Sequence, residues 1–444
     1  MTTTHMKRNL ILALAALAAA ALVSCSREES PAVAEDQTIQ EFTVIDETEQ
    51  TGAELFNAAV DPIAGIADEE MLAKVREAFQ ESCTRLEAEA DPQTKSVAPL
   101  LYKTVKITYE TVDQDNQPVT ASALIVYPLL RKMKQVLLIN HGTHMGAMMV
   151  PTNYTSVEAI MAATGALCIM PDYIGLGASA DHPDLYLNHE VHGRTSIDAL
   201  LALLDYAKAK NLNLDKNYKT YIAGYSQGGS VSLASLRRVQ QLDAATQKRI
   251  NLQRVFCGDG PYDLRRTFET YMSDYEQGKE MGLGAVIPMV INSMFNSYPS
   301  EMEGINYEDF FTEWALEQGV PQACRNNDEN LIDVMMKFNG ATLGEILNLD
   351  YIEANPEHLN RLLGLMDRQN LCTGWQPQYR LKLLHCNPDG VVPYANFEEA
   401  YENLGNGYME DPEVVEIKTS ILDAIGQHIY GMLVMTTEIL TQGL

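Results

Sequence analysis

The chain has 444 residues, which is enough for one large domain with insertions or for two ordinary domains with a sizeable core. It carries 60 acidic and 32 basic side chains, so its formal net charge is −28 at pH 7. A charge of this sign repels phosphate backbones and anionic membrane surfaces, which argues against nucleic acid as a partner.

The first 24 residues have the layout of an export signal. Lys7 and Arg8 precede the apolar run NLILALAALAAAALVS, which ends at Cys25. The stretch LVSC resembles the lipobox of bacterial lipoproteins, and this resemblance implies cleavage before Cys25 and lipid attachment to its sulfur. We therefore predict a signal peptide over 1–24, a flexible acidic tether over 25–50, and an exported protein that touches the cell-envelope membrane only through its lipid. An uncleaved transmembrane anchor is the alternative.

The pattern of apolar runs predicts a layered α/β structure. Residues 52–90 read as helical, and LYKTVKITYETV and TASALIVYP read as an antiparallel strand pair. Apolar strands then alternate with helices as far as LQRVFCGDG, which is typical of a mostly parallel sheet covered by helices on both faces. The alternation stops over 263–375 and resumes at YRLKLLHCNPDG. We therefore expect a core formed by 51–262 and 376–444, interrupted by a helical insertion over 263–375.

Six cysteines remain after Cys25. Three of them, Cys168, Cys257 and Cys386, lie in or beside strand-like runs, where buried free thiols are common. The only disulfide we consider joins Cys324 to Cys372, since both lie in the same polar helical region. No cysteine or histidine cluster has the spacing of a zinc site, so we expect neither metal nor cofactor.

The stretch GYSQG places Ser226 between a predicted strand, KTYIAG, and a predicted helix, SVSLASLRRVQ. A serine on such a sharp turn has its hydroxyl lifted clear of both elements, and the crowded backbone there tolerates only small neighbours. This context predicts that Ser226 is a nucleophile rather than a small residue that packs a helix against a strand.

A serine hydroxyl needs a base and a group that orients the base. His428 follows the last predicted strand and is the expected base, in a loop. Asp389, in the loop after the resumed strand, is the expected acid, and Asp259 after the preceding strand is its rival. The backbone N–H groups of Gln227 and Thr143 are the expected oxyanion donors, with His144 as the alternative to Thr143, while His141 is expected to pack its loop.

The chain order Ser226, Asp389, His428 resembles that of the α/β-hydrolase superfamily over about residues 100–440. The stretches PDYIGLGAS, GYSQGG and DGVVPYANFEEAY are similar to the secretory lipase and carboxylesterase branch of fungi and bacteria. This resemblance implies a helical cap over the serine and activity on small-molecule carboxylic esters. Two alternatives remain: a serine peptidase of the prolyl type, and a non-catalytic surface binding protein that has the hydrolase fold. The cap segment EMGLGAVIPMVINSMFNSYPSEM either lines an acyl pocket or holds the cap on the sheet.

Overall fold

The computed structural model describes residues 41–89, 100–144, 146, 149–279, 281–326, 336–338, 340–417 and 423–444. Its centre is a sheet with the strand order β1-β2-β3-β5-β4-β6-β7-β8-β9. The strands are β1 (Phe42–Thr51), β2 (Leu101–Val112), β3 (Pro118–Pro128), β4 (Met133–Asn140), β5 (Leu167–Pro171), β6 (Leu214–Tyr225), β7 (Leu252–Gly258), β8 (Arg380–Asn387) and β9 (Glu413–Glu416).

The sheet has an antiparallel end and a parallel body. Strands β1, β2 and β3 pair antiparallel with one another, and β3 pairs antiparallel with β5. From β5 to β9 every neighbouring pair is parallel. The carboxyl ends of β6, β7 and β8 therefore meet at one edge, where ligand sites of open α/β sheets form.

Helices cover both faces of the sheet, as the alternating sequence pattern predicts. Helices α3 (His189–Ala209) and α4 (Gln227–Gln241) pack on one face, followed by the short helix α5 (Ala244–Ile250). On the other face lie α1 (Gly52–Val60), α2 (Glu69–Ala88) and the C-terminal helix (Ala424–Gln442). The predicted mostly parallel sheet flanked by helices is confirmed.

Between β7 and β8 the described residues form helices with a hydrophobic cluster of their own, which we call the cap. The cap helices are α6 (Leu264–Glu276), α7 (Val286–Ser297), α8 (Glu313–Glu317), α9 (Val320–Asn326), α10 (Leu343–Ile346), α11 (Leu349–Ala354) and α12 (Pro356–Asp367). Helix α13 (Tyr394–Leu404) follows β8, and α14 (Ala424–Gln442) ends the chain.

The structure differs from the predicted tether at its end. Residues Phe42–Thr51 form strand β1, which pairs with β2 along its length and sets Phe42 and Val44 against the core. Its other side chains are mostly exposed and polar, as suits an edge strand, so the hydrophobic pattern of the sequence does not indicate a strand here. The predicted signal peptide and Cys25 lie outside the described residues.

Three smaller expectations also change. The alternation of strands and helices predicts an α-helix between β4 and β5, but this segment, Val157–Thr164, is a 3-10 helix. The C-terminal helix begins before His428, so this residue lies on a helix rather than in a loop. Cys324 and Cys372 are not joined, because Cys324 packs inside the cap and Cys372 inside the sheet core. Within the described part of the chain, no helix combines the length and hydrophobicity needed to cross a bilayer.

Candidate active site

Ser226 stands on a strained turn between β6 and α4. Its backbone dihedrals are φ 60° and ψ −127°, a conformation that costs a residue with a β-carbon about 1–3 kcal/mol. The neighbouring glycines permit the turn: a β-carbon at Gly224 would lie 2.2 Å from the carbonyl oxygen of Gly228. One at Gly228 would lie 2.0 Å from the oxygen of Asn140. The glycines in GYSQGG are therefore required by how closely the strand, turn and helix approach.

His428 and Asp389 meet at the carboxyl edge of the sheet. The Nδ1 atom of His428 lies 2.6 Å from Oδ2 of Asp389, whose side chain is fully buried. The other carboxylate oxygen accepts hydrogen bonds from the backbone N–H groups of Val391 and Val392, at 2.7 and 3.0 Å. These bonds hold the Asp389 carboxylate in place, and the carboxylate in turn orients the imidazole of His428. Nε2 of His428 has no hydrogen-bond partner among the described residues.

Asp259, the rival acid, has different partners. It follows β7 and is buried, and its carboxylate accepts hydrogen bonds from the Tyr225 hydroxyl and the Cys386 backbone N–H and pairs with Nδ1 of His385. No hydrogen bond joins Asp259 to His428 in the described structure. Burial, together with the charge of Asp389, raises the pKa of Asp259.

The environment of His428 favours its protonated form. Burial by itself would lower the pKa of the imidazole. The charge and hydrogen bond of Asp389, with a smaller contribution from Asp259, outweigh burial, so the pKa of His428 is raised above its ordinary value of 6.5. An imidazolium formed at His428 would therefore be stabilised.

Two candidate backbone donors flank Ser226. Gln227 is the first residue of α4, and the first N–H groups of a helix have no acceptor within the helix. On the other side runs the loop after β4, where a β-carbon added at Gly142 would lie 3.9 Å from Cβ of Ser226. Thr143 follows in this loop, and its hydroxyl lies 2.9 Å from the hydroxyl of Tyr186.

The same loop is held from behind by aromatic side chains. The Tyr173 hydroxyl donates to the carbonyl of His141 at 3.0 Å, and the rings of Tyr173 and His141 stack at 4.2 Å. Burial lowers the pKa of His141 to about 4, so the ring is neutral at pH 7. His141 therefore packs its loop, and His144, also buried, lies near the carboxylate of Asp184 at 3.5 Å.

A narrow, largely apolar pocket opens onto Ser226. The cavity volume is ≈ 40 Å³, and the empty space is ≈ 570 Å³ when the part open to solvent is included. Thr143 and Tyr186 lie on one side, and helix α7 supplies a wall made of Val286, Ile287, Val290 and Ile291. Other residues of α7, including Met289 and Met294, are buried in the cap cluster. The α7 part of the cap segment thus lines this pocket and also packs inside the cap.

Sequence reasoning did not identify two tyrosines of this site. Tyr225 precedes Ser226, donates to Asp259, and lies with its ring 5.0 Å from the ring of His428, so it joins the serine turn to the histidine helix. The hydroxyl of Tyr186 contacts that of Thr143 in the pocket lining. The only available signal for Tyr225 was its place inside GYSQG, and Tyr186 had none. Among the described residues, no group of three or more His, Cys, Asp or Glu side chains is arranged to hold a metal ion.

Known structures have the same architecture. The rice cell wall degrading esterase LipA from Xanthomonas oryzae superposes with a TM-score of 0.67 at 18% identity, covering 91% of this chain and 97% of LipA. Lipase A of Candida antarctica in its closed state gives a TM-score of 0.56 at 14% identity, covering 77% of this chain and 78% of the lipase. No family model and no curated protein sequence matches the chain. At these identities the likeness concerns architecture alone, and together with the sheet topology it establishes that this chain has the α/β-hydrolase fold.

Proposed function

We propose that the chain is a serine hydrolase that cleaves carboxylic esters, with Ser226 as nucleophile, His428 as general base and Asp389 as the group that orients His428. The observation that carries the proposal is the combination of the strained Ser226 turn at an apolar pocket with the 2.6 Å hydrogen bond between His428 and Asp389. The fold likeness to an esterase and a lipase agrees with it.

The first half of the reaction forms an acyl-enzyme. The Ser226 hydroxyl oxygen attacks the ester carbonyl carbon while its proton passes to Nε2 of His428. Tyr225 brings the turn that carries Ser226 close to the helix that carries His428. The hydrogen bond between a catalytic serine and its base often shortens only when substrate is bound. The tetrahedral intermediate then collapses, the bond to the alcohol oxygen breaks, and the His428 imidazolium gives its proton to the departing alcohol.

The second half repeats these steps with water. His428 takes a proton from a water molecule whose oxygen attacks the acyl carbon, and collapse returns the proton to Ser226 and releases the carboxylic acid. In both halves the negative oxygen is bound by the backbone N–H groups of Thr143 and Gln227. Each such donor contributes about 3 kcal/mol to the transition state in comparable sites.

A substrate panel tests this function against the alternatives. The apolar pocket wall supplied by α7 favours an apolar acyl group over a charged substrate group. We expect turnover of nitrophenyl esters, measured over a series of acyl lengths, and no turnover of aminoacyl-proline anilides. Faster cleavage of the anilides would instead indicate a peptidase of the prolyl type, and inertness toward both series would indicate a binding protein.

The raised pKa of His428 sets a pH dependence. The base acts in its neutral form, so kcat/KM for a nitrophenyl ester should be low at acidic pH and rise to a plateau, with its midpoint above pH 6.5. A profile measured between pH 4 and 9 under one ionic strength, about 0.1 M, would show this. A midpoint below 6.5 would contradict the stabilising role of the two carboxylates.

We further propose that the protein is exported and anchored to the cell envelope by a lipid on Cys25. The basic, apolar and small residues before Cys25 support this, as does the acidic stretch that follows. Metabolic labelling with a radioactive fatty acid should mark the protein, and Cys25→Ala should abolish the label. Labelling that persists in this variant would contradict the site.

A further inference from the structure

Basic side chains gather at the end of the sheet farthest from Ser226. A groove around the start of β6 is lined by Lys208, Lys216 and Arg249, and an adjoining groove is lined by Lys216, Lys248 and Arg249. Lys216 lies near the beginning of the strand whose end leads into Ser226, on the order of 30 Å away at ~3.3 Å per residue. We call Lys208, Lys216, Lys248 and Arg249 the basic face.

The local charge of this face is opposite to that of the chain as a whole. Two carboxylates lie in the first groove, and both are paired: Asp205 with Arg249 and Asp215 with Lys132, each at 2.6 Å. The three lysines of the basic face are exposed and form no ion pair with any described residue. With Lys132 included, five positive and two negative side chains meet here in a chain of net charge −28.

The chain enters the fold at this same place. Phe42, the first residue of β1, lines the groove with Lys208 and Lys216. Cys25 precedes Phe42 by 17 residues, a length of chain that spans at most about 60 Å when extended and about 20–25 Å as a flexible coil. A lipid on Cys25 would therefore keep the basic face close to a bilayer.

We propose that the basic face docks on anionic phospholipid headgroups, so that the Ser226 pocket points away from the membrane. Screening in physiological salt limits electrostatic interactions to about 8–10 Å, so phosphates in contact with the face meet its lysines before the remote acidic surfaces. A lipid anchor combined with a basic surface holds a protein to a membrane more firmly than one signal alone. This docking departs from the expectation that the chain touches the membrane only through its lipid, because the basic face is locally positive in a chain whose net charge is −28. The anchor proposed above serves only to bring the face to the bilayer, and ester hydrolysis plays no part in the docking.

Binding of the full chain to vesicles tests this docking. Three forms are compared: the unsubstituted chain, K208Q/K216Q/K248Q, and a control, K74Q/K279Q/K337Q, which removes three exposed lysines elsewhere. Each is sedimented with vesicles of phosphatidylcholine alone and with vesicles of equal parts phosphatidylcholine and phosphatidylglycerol. Residues 1–40 are identical in all three forms, so any affinity of these residues for lipid contributes equally to each form and does not affect the comparison between them.

We expect the unsubstituted chain and the control to bind the anionic vesicles at least about tenfold more tightly than the neutral ones, and K208Q/K216Q/K248Q to lose this preference. The preference should also vanish at about 1 M salt. The proposal would be overturned if the unsubstituted chain bound both kinds of vesicle equally, or if the control variant lost the preference for anionic vesicles to the same extent. It would also be overturned if the chain bound the soluble anionic polysaccharide polygalacturonate in preference to vesicles. Unchanged melting temperatures establish that the variants are folded, and the vesicle result holds whether or not the chain cleaves esters.

Discussion

Ser226→Ala is expected to lower kcat for nitrophenyl esters by at least about 10⁴-fold, because the proposed acyl-enzyme forms on the Ser226 hydroxyl oxygen. The change removes one oxygen atom from the wall of a pocket and keeps the β-carbon, so the backbone strain and the packing of the turn stay as they are. The melting temperature should therefore be unchanged. Steady-state kinetics over the ester series and a thermal melt measure the two quantities.

A matched serine on the same helix provides the control for Ser226→Ala. Ser235 is buried in α4, donates its hydroxyl to the carbonyl of Val231 at 2.8 Å, and lies outside the pocket. Ser235→Ala should leave kcat within about tenfold of the unsubstituted protein, since only a local hydrogen bond is lost. Retained turnover in Ser226→Ala, or an equal loss in both variants, would show that Ser226 is not the nucleophile.

Asp389→Asn is expected to lower kcat by about 10⁴-fold, whereas Asp259→Asn should lower it by no more than about tenfold. An asparagine at 389 can still accept from Val391 and Val392, but its amide opposite Nδ1 favours the tautomer that carries the proton on Nε2. That tautomer cannot take a proton from Ser226. Asparagine at 259 leaves the bond between His428 and Asp389 in place.

The Asp259→Asn variant has a second readout, the acidic midpoint of the kcat/KM profile, which would not change if Asp259 had only a structural role. Asp259 contributes to raising the pKa of His428, so Asp259→Asn should shift the acidic midpoint of the kcat/KM profile to lower pH. Asp259 also holds the Tyr225 hydroxyl and pairs with the imidazole of His385, and we therefore expect reduced thermal stability as well. If Asp259→Asn proved the more damaging of the two substitutions, the assignment of the acid would be reversed.

The sequence predicted much of the fold because the features that define it are local. The antiparallel pair β2 and β3 was visible as alternating runs, and the strand, turn and helix around Ser226 as a change from an apolar run to small residues. Strand β1 was missed because only two of its side chains face the core, and its pairing with β2 depends on backbone hydrogen bonds that no composition records.

The candidate site was harder to predict, because its geometry depends on residues distant in sequence. Asp259 and Asp389 both follow strands that end at the same edge, so chain order alone could not separate them. What separates them is the set of partners: Asp259 bonds to Tyr225 and Cys386, and Asp389 bonds to His428. The roles of Tyr225 and Tyr186 likewise come from contacts across the fold, which leave no periodic signal in the chain.

Under the proposed function, helix α7 would make the range of accepted substrates depend on residues that do not line the pocket. Its Val290 and Ile291 form the pocket wall, while Met289 and Met294 anchor the helix in the cap interior. Because a packed interior transmits small volume changes, a substitution at either methionine would tilt the whole wall rather than alter one contact. New acyl preferences could thus evolve through remote exchanges in the cap, with the hydrolytic residues on the sheet untouched.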